Sequence, residues 1–145
     1  LKFALKGIEK QCNRLFAEIR LHVAKALYRN TMTDLFGRLR SPRKRVMSDR
    51  HVQLLQRLLD HGSQNGAEFI KQTAGLYQVK NPLKALIRDL SYLAELQAIE
   101  IKQAAEKWNF IISINLDWPA QITESEFFKR VKEMPKTKVH GFLSS

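Results

Sequence analysis

The 145-residue sequence predicts a mainly α-helical protein with a small β-hairpin. Leucines recur at three- and four-residue spacing over 52–59 and 83–96, which indicates two half-buried helices. Apolar and polar residues alternate over 99–102 and 110–116, which indicates two strands joined by a turn. The resulting order over 48–116 is helix, short helix, helix, strand, strand. That order is typical of a winged helix-turn-helix, in which the hairpin is the wing.

Sequence signals also mark where the helices of this unit begin and end. Ser48 suits the N-cap of the first helix, and Gly62 supplies the left-handed residue that ends it. A short strand is expected at 68–70 and a short helix at 71–77. Asn81–Pro82 suits the cap and first turn of the third helix, which presents its outer face to a partner in this fold.

Residues 1–40 are predicted to form a helical segment, with a long helix to about residue 29 and a short one over 31–39. Cys12 falls on the apolar face of the long helix, which predicts a small buried side chain rather than a reactive thiolate. An apolar stripe of this length is unstable when bare, so we expect it to pack against a helix of the same chain or of a second copy. The candidate oligomerisation residues of this stripe are Leu5, Ile8, Cys12, Leu15, Ile19 and Val23.

Two further segments complete the predicted domain organisation. Residues 41–47 are expected to be a basic linker, because Ser41–Pro42 disfavours helix at Ser41 and three basic residues follow. Residues 117–145 are expected to form a short helix and a tail. Thr123 and Glu126 fit a capping box that opens this C-terminal helix.

The net charge of +11 favours polyanionic partners. The excess is +6 over 1–40, +4 over 41–116 and +1 over 117–145, so most of it lies outside the winged unit. A single cysteine excludes an internal disulfide and fits a reducing compartment, which predicts a cytoplasmic protein. The sequence contains no apolar run of membrane-spanning length, so no membrane partner is expected.

The sequence carries no recognisable catalytic, metal or cofactor site. The four histidines have no second ligand at metal-binding spacing, and the six glycines form no phosphate-binding loop. Asp89 and Glu95 are expected on the solvated surface rather than in a cleft. We therefore expect no catalytic residue, metal or cofactor, and no enzymatic activity in this segment.

The most informative charged pattern marks a candidate nucleic-acid interface. Lys80, Lys84 and Arg88 are spaced by four residues on one side of the third helix, and Ser91 extends that side. A solvated face opposite the leucine stripe is the alternative. Further phosphate-contact candidates lie in the wing and in the linker, where a merely solvated basic segment is the alternative: Lys102, Lys107, Arg43, Lys44 and Arg45.

Three segments resemble the Fic (filamentation-induced-by-cAMP) family in the order in which that family carries them. Met47–Asp60 is similar to the helix that follows the catalytic core, with its Leu-Leu-Asp ending. Ile87–Leu93 resembles the Arg-Asp-Leu pattern of the family's C-terminal winged helix, and Phe3–Ile8 resembles the start of a late helix of the Fic region. The His-Pro-Phe and Gly-Asn-Gly-Arg signature is absent from this sequence, and Ala98 stands where the family usually has glycine.

The resemblance implies that this chain is a non-catalytic C-terminal module of an AMP-transferring enzyme that acts on protein hydroxyls. It implies DNA, a protein partner or the Fic catalytic region as the partner of the module. A free-standing dimeric winged-helix transcriptional regulator is the alternative function. A purely structural oligomerisation module is the third.

Overall fold

The computed structural model describes residues 2–39, 42–103 and 110–133, and within them the side chains of 5–39, 44–103 and 110–133. The predicted mainly helical fold with a long N-terminal helix and a β-hairpin is confirmed. The elements in chain order are α1 (Lys2–Gly37), α2 (Pro42–His61), β1 (Gln64–Asn65), α3 (Gly66–Ala74), α4 (Pro82–Glu95), β2 (Ile99–Gln103), β3 (Phe110–Ile114), α5 (Trp118–Gln121) and α6 (Glu124–Glu133).

The run from α2 to β3 has the winged-helix arrangement. The sheet is antiparallel in the order β1-β3-β2. In the hairpin, Ile99 pairs with Ile114 and Gln103 pairs with Phe110, as the alternating pattern predicted. The turn expected over 103–109 begins one residue too early, because Gln103 belongs to β2, and residues 104–109 lie outside the described part of the chain.

The N-terminal helix is longer than predicted. α1 continues to Gly37, so the separate short helix expected over 31–39 is wrong. No proline occurs in the helix, and Gly7 lies within it without ending it. Tyr28, Met32, Leu35 and Leu39 keep the helical spacing and are buried in the core.

The expected basic linker is also wrong, because α2 begins at Pro42. The conformational restriction imposed by a proline falls on the residue before it, and proline itself suits the first helical turn. The helix therefore starts six residues before Ser48. Ser48 is buried within it, and its hydroxyl donates to the carbonyl of Phe36 at 3.3 Å instead of capping α2.

Residues 68–70 are helical rather than extended. The side-chain oxygen of Asn65 accepts from the amides of Ala67 (3.0 Å) and Glu68 (3.3 Å), so α3 starts earlier than the apolar pattern suggested. Gly66 packs under the ring of Phe110, and a Cβ at this position would overlap that ring. Because Gly66 directly follows β1 and Phe110 begins β3, this close approach holds β1 next to β3.

The predicted helix ends are largely confirmed. Gly62 ends α2 in a left-handed conformation (φ 74°), and its amide donates to Leu58 at 2.8 Å. Asn81 caps α4 through Lys84. After α4, the left-handed position is taken by Gln97 (φ 68°), whose carbonyl accepts from the side-chain amide of Asn115 at 2.8 Å.

One core joins the end of α1 to the winged unit and to α6. The Tyr28 hydroxyl donates to the carbonyl of Ala98 at 2.8 Å, at the start of β2. The ring of Tyr28 lies 5.3 Å from that of Trp118, and Phe36 contacts Phe127 edge-on at 5.1 Å. The last turns of α1 are therefore part of the same packed body, while its first half extends beyond that body.

Candidate nucleic-acid interface

The outer face of α4 carries two of the three basic residues predicted from their four-residue spacing, and the third lies just before the helix. Lys84 and Arg88 are exposed on α4, and Lys80 is exposed in the bend before it. Leu86 and Leu90 are fully buried on the opposite side of the helix. Within the described residues, none of the three basic side chains has a carboxylate partner, so their positive charges are uncompensated. These three residues are called the basic surface below.

The first turns of α2 lie beside this surface. Val46, Met47 and Arg50 of α2 line a cavity of about 390 Å³ together with Ala85, Arg88 and Asp89 of α4. Of the predicted cluster next to it, Lys44 is half-buried and Arg45 is exposed, but neither lines this cavity. The side chain of Arg43 lies outside the described part. The start of α2 thus lies against α4, but Lys44 and Arg45 are not part of the cavity between the two helices.

Asp89 anchors α4 from the buried side of the helix. Its carboxylate is 2% exposed and accepts from Arg50 Nε at 3.1 Å and from the Tyr77 hydroxyl at 2.5 Å. His51 Nε2 lies 3.2 Å from the other carboxylate oxygen, and the Arg50 guanidinium lies over the Tyr77 ring at 5.2 Å. Residues of α2 and of the α3–α4 turn therefore meet on one side chain of α4. This group of four residues is called the Asp89 cluster below.

Charges within the Asp89 cluster compensate one another. Burial, followed by the negative charge of Asp89, raises the pKa of Tyr77 above its ordinary value near 10, so the phenol stays protonated and donates. The Arg50 guanidinium is an ion-pair partner of the same carboxylate. Asp89 consequently does not weaken the positive field of the basic surface as a solvated carboxylate would.

The predicted surface position of Asp89 is wrong, and the sequence held the signal for its burial. Asp89 lies three residues after Leu86 and four before Leu93, both fully buried. That spacing places it on the core side of α4, where a carboxylate requires ion-pair and hydrogen-bond partners. No local pattern identified Arg50, His51 and Tyr77 as those partners, because they are 12 to 39 residues away.

The other end of α4 is unsuited to phosphate. Ser91 does not extend the basic surface, because it is buried and its hydroxyl donates to the Ile87 carbonyl at 2.7 Å. Lys102 is exposed but pairs with Glu100 at 3.1 Å. Glu100 and Lys102 both line a groove of about 710 Å³ that also contains Glu95 and Asp117. Lys107, the remaining wing candidate, lies outside the described residues.

The apolar stripe of α1 has no partner within the described chain. Its side chains are more than half exposed, so the expectation that the stripe packs against another helix is not met inside this chain. Cys12 is exposed as well, which corrects its predicted burial. The exposed fractions are Leu5 63%, Ile8 57%, Leu15 57%, Phe16 63%, Ile19 55%, Val23 60% and Leu27 53%.

Over residues 2–39, 42–103 and 110–133, His, Cys, Asp and Glu form no group of three or more that could hold a metal ion. No helix in the same ranges is both long and apolar enough to cross a bilayer.

The chain was also compared with known proteins. No family model, curated protein or solved structure matches it. Function is therefore inferred from the site itself.

Proposed function

We propose that this chain is a non-catalytic winged-helix module that binds duplex DNA through the basic surface of α4. The observation that carries the proposal is the exposed, uncompensated set of Lys84 and Arg88, on the helix that this fold presents to a groove, and Lys80, in the bend before that helix.

The chemistry of the surface fits a phosphate backbone and a base edge. Lysine contacts phosphate as a point charge, whereas Arg88 can make paired hydrogen bonds to phosphate or to guanine. Leu83, in the first turn of α4, is 50% exposed and offers an apolar contact of the kind that thymine methyl groups accept. The N-terminus of α4 adds a favourable dipole for an anion close to Lys84.

The supporting structure keeps the surface in one orientation. Arg50 and Tyr77 bind Asp89 from two different elements, so α4 is fixed by hydrogen bonds as well as by its leucines. The groove with Glu95, Glu100 and Asp117 lies at the other end of α4. Like-charge repulsion from that groove would direct DNA to the N-terminal half of the helix.

The proposal can be tested by fluorescence anisotropy with a random 20-base-pair duplex over a series of salt concentrations. Changing Lys80, Lys84 and Arg88 together to Ala should reduce the log–log salt slope by roughly 3, since each phosphate contact contributes about 0.9. The matched control changes Lys6, Lys10 and Arg14 to Ala. These are also two lysines and an arginine at four-residue spacing, and all three are exposed on α1, so the loss of charge is identical.

A specific interface predicts that the α4 variant loses affinity and slope while the α1 control keeps most of both. Equal losses in the two variants would mean that only the total charge attracts DNA. Equal binding by wild type and the α4 variant would show that α4 does not face DNA.

We also propose that the module belongs to a Fic-like AMP-transferring protein, on the resemblance of Phe3–Ile8, Met47–Asp60 and Ile87–Leu93 to segments of that family. The three segments fall in α1, α2 and α4. A Fic signature encoded upstream in the complete gene would support this proposal, and an upstream sequence without one would contradict it. The free-standing dimeric regulator is the second candidate, because the exposed stripe of α1 favours a protein partner.

A further inference from the structure

The first half of α1 presents two faces of different character. At about 3.6 residues per turn, the stripe from Leu5 to Val23 lies on the opposite side of the helix from Tyr28 and Met32, which enter the core. Bending the helix back onto its own body would therefore bury the wrong face. The stripe needs a partner that approaches from the side away from the winged unit.

We infer that a second copy of this chain covers this stripe, so that two α1 helices pair along it. The apolar residues at 5, 8, 12, 15 and 19 alternate steps of three and four, the spacing of a two-helix seam. Leu5, Ile8, Leu15 and Ile19 supply the large side chains of that seam.

The exposed area of the stripe is sufficient for a stable pair. Seven large apolar side chains, the five of the stripe together with Phe16 and Leu27 at its edge, are each more than half exposed, which gives on the order of 800 Å² per helix, the area that one partner contributes to a standard interface. A monomeric protein seldom leaves a contiguous apolar patch of that size uncovered.

The charges around the stripe favour a second copy over an anionic membrane. Lys6, Lys10 and Arg14 lie on the face opposite the stripe, so two paired helices would not bring them together. The edges of the stripe carry Glu9 and Arg20 on one side and Glu18 on the other. A membrane-surface helix usually has basic edges, and here the edge glutamates would meet anionic headgroups. Glutamate and arginine at the edges suit pairing between helices.

The pairing would leave the basic surface uncovered. Arg29 of α1 pairs with Asp60 in the last turn of α2 at 3.3 Å, whereas α4 contacts α2 at Arg50. These two points are about 15 Å apart along α2, and α1 extends away from the Asp60 end. The inference is independent of DNA binding, since it uses none of the residues of the basic surface.

The test is sedimentation equilibrium of the 145-residue chain between about 5 and 200 µM. Wild type should sediment at twice the 16.9 kDa chain mass. Changing Leu15 and Ile19 to Asp should weaken the dimer at least about 100-fold, because the charges would enter the apolar seam. The matched control changes Asn13 and Ala17 to Asp, which adds the same charge to exposed positions on the opposite face and should leave the dimer intact.

Several outcomes would overturn the inference. They are a wild-type monomer at 200 µM, an assembly larger than a dimer, and a dimer that survives in the Leu15/Ile19 variant. A variant that loses its near-UV circular dichroism would show that the stripe packs on its own core. A monomer that cosediments with vesicles of phosphatidylcholine and phosphatidylserine would assign the stripe to a membrane surface instead.

Discussion

Replacing Asp89 with Asn is the sharpest test of how α4 is held. The substitution keeps the size of the side chain and removes the charge that Arg50 Nε contacts at 3.1 Å. Tyr77 can still donate to the amide oxygen, but the acceptor is then neutral. His51, 1% exposed, also loses its anionic neighbour. A partly buried guanidinium is left without its counter-ion.

The expected cost follows from burial and from the number of charged contacts. Breaking a fully buried ion pair costs about 3–5 kcal/mol, and a hydrogen bond to a charged group contributes about 1.5–3 kcal/mol. The Arg50 side chain is 21% exposed, so water recovers part of the loss. We therefore expect the free energy of unfolding to fall by about 2–3 kcal/mol.

Urea unfolding followed by far-UV circular dichroism measures this change. With an m-value of about 2 kcal/mol per molar, the midpoint should fall by roughly 1–1.5 M at unchanged m. Glu95→Gln is the matched control, because Glu95 is an exposed carboxylate of the same helix that pairs with Arg130 at 3.3 Å. Its cost should stay below about 1 kcal/mol.

A double-mutant cycle with Arg50→Gln then isolates the pair, and a coupling energy of about 1–3 kcal/mol is expected. An Asp89→Asn cost no larger than that of Glu95→Gln would refute the reasoning. A coupling energy near zero would show that Arg50 is not the partner that matters.

Three further outcomes are expected. Burial raises the pKa of all three tyrosines, Tyr28, Tyr77 and Tyr92, so absorbance at 295 nm should show no phenolate in the folded protein near pH 11. The stabilisation from these neutral phenols is complete below pH 10. Above pH 10 it is lost by up to about 1.4 kcal/mol per pH unit for each tyrosine. A rise in phenolate absorbance near pH 10 before the protein unfolds would contradict this expectation. Gly66→Ala should lower the free energy of unfolding in urea by about 1–3 kcal/mol, because the added Cβ overlaps the Phe110 ring. Gly75→Ala should leave it unchanged, because no atom lies within 4 Å of the added Cβ. Equal effects of the two substitutions would exclude the overlap. Asn65→Ala should cost about 1 kcal/mol by removing the α3 cap, and a change below about 0.3 kcal/mol would show that the cap is dispensable.

Local signals located those parts of the fold that local interactions determine. Asn81–Pro82 marked the start of α4, Gly62 marked the end of α2, and alternation over 99–102 marked the first strand of the hairpin. The start of α2 was missed because the basic residues after Ser41–Pro42 were interpreted as a linker, although proline suits a first helical turn. The Asn65 cap was missed because the short run 68–70 looks the same in a strand and in a helix.

Long-range contacts were not accessible in the same way. The spacing of Lys84 and Arg88 was enough to place them together on the exposed side of α4, and Lys80 is exposed in the bend before it. The burial of Ser91 depends on neighbours that no local periodicity specifies, and the Glu100–Lys102 pair depends on how the wing strand is turned. The α1 stripe likewise points outward because the opposite face of the same helix, which carries Tyr28, enters the core. Two apolar faces on one helix cannot be assigned to core or surface by spacing alone.

Amide chemical-shift mapping with a 20-base-pair duplex tests the central claim most directly, because it reports the contact surface residue by residue. The proposed interface predicts that the shifts concentrate in 80–88, with smaller changes at 44–50 beside the shared cavity, and that they diminish as salt is raised. Shifts concentrated in 5–23 of α1, or in the groove at Glu95 and Glu100, would contradict DNA binding through α4.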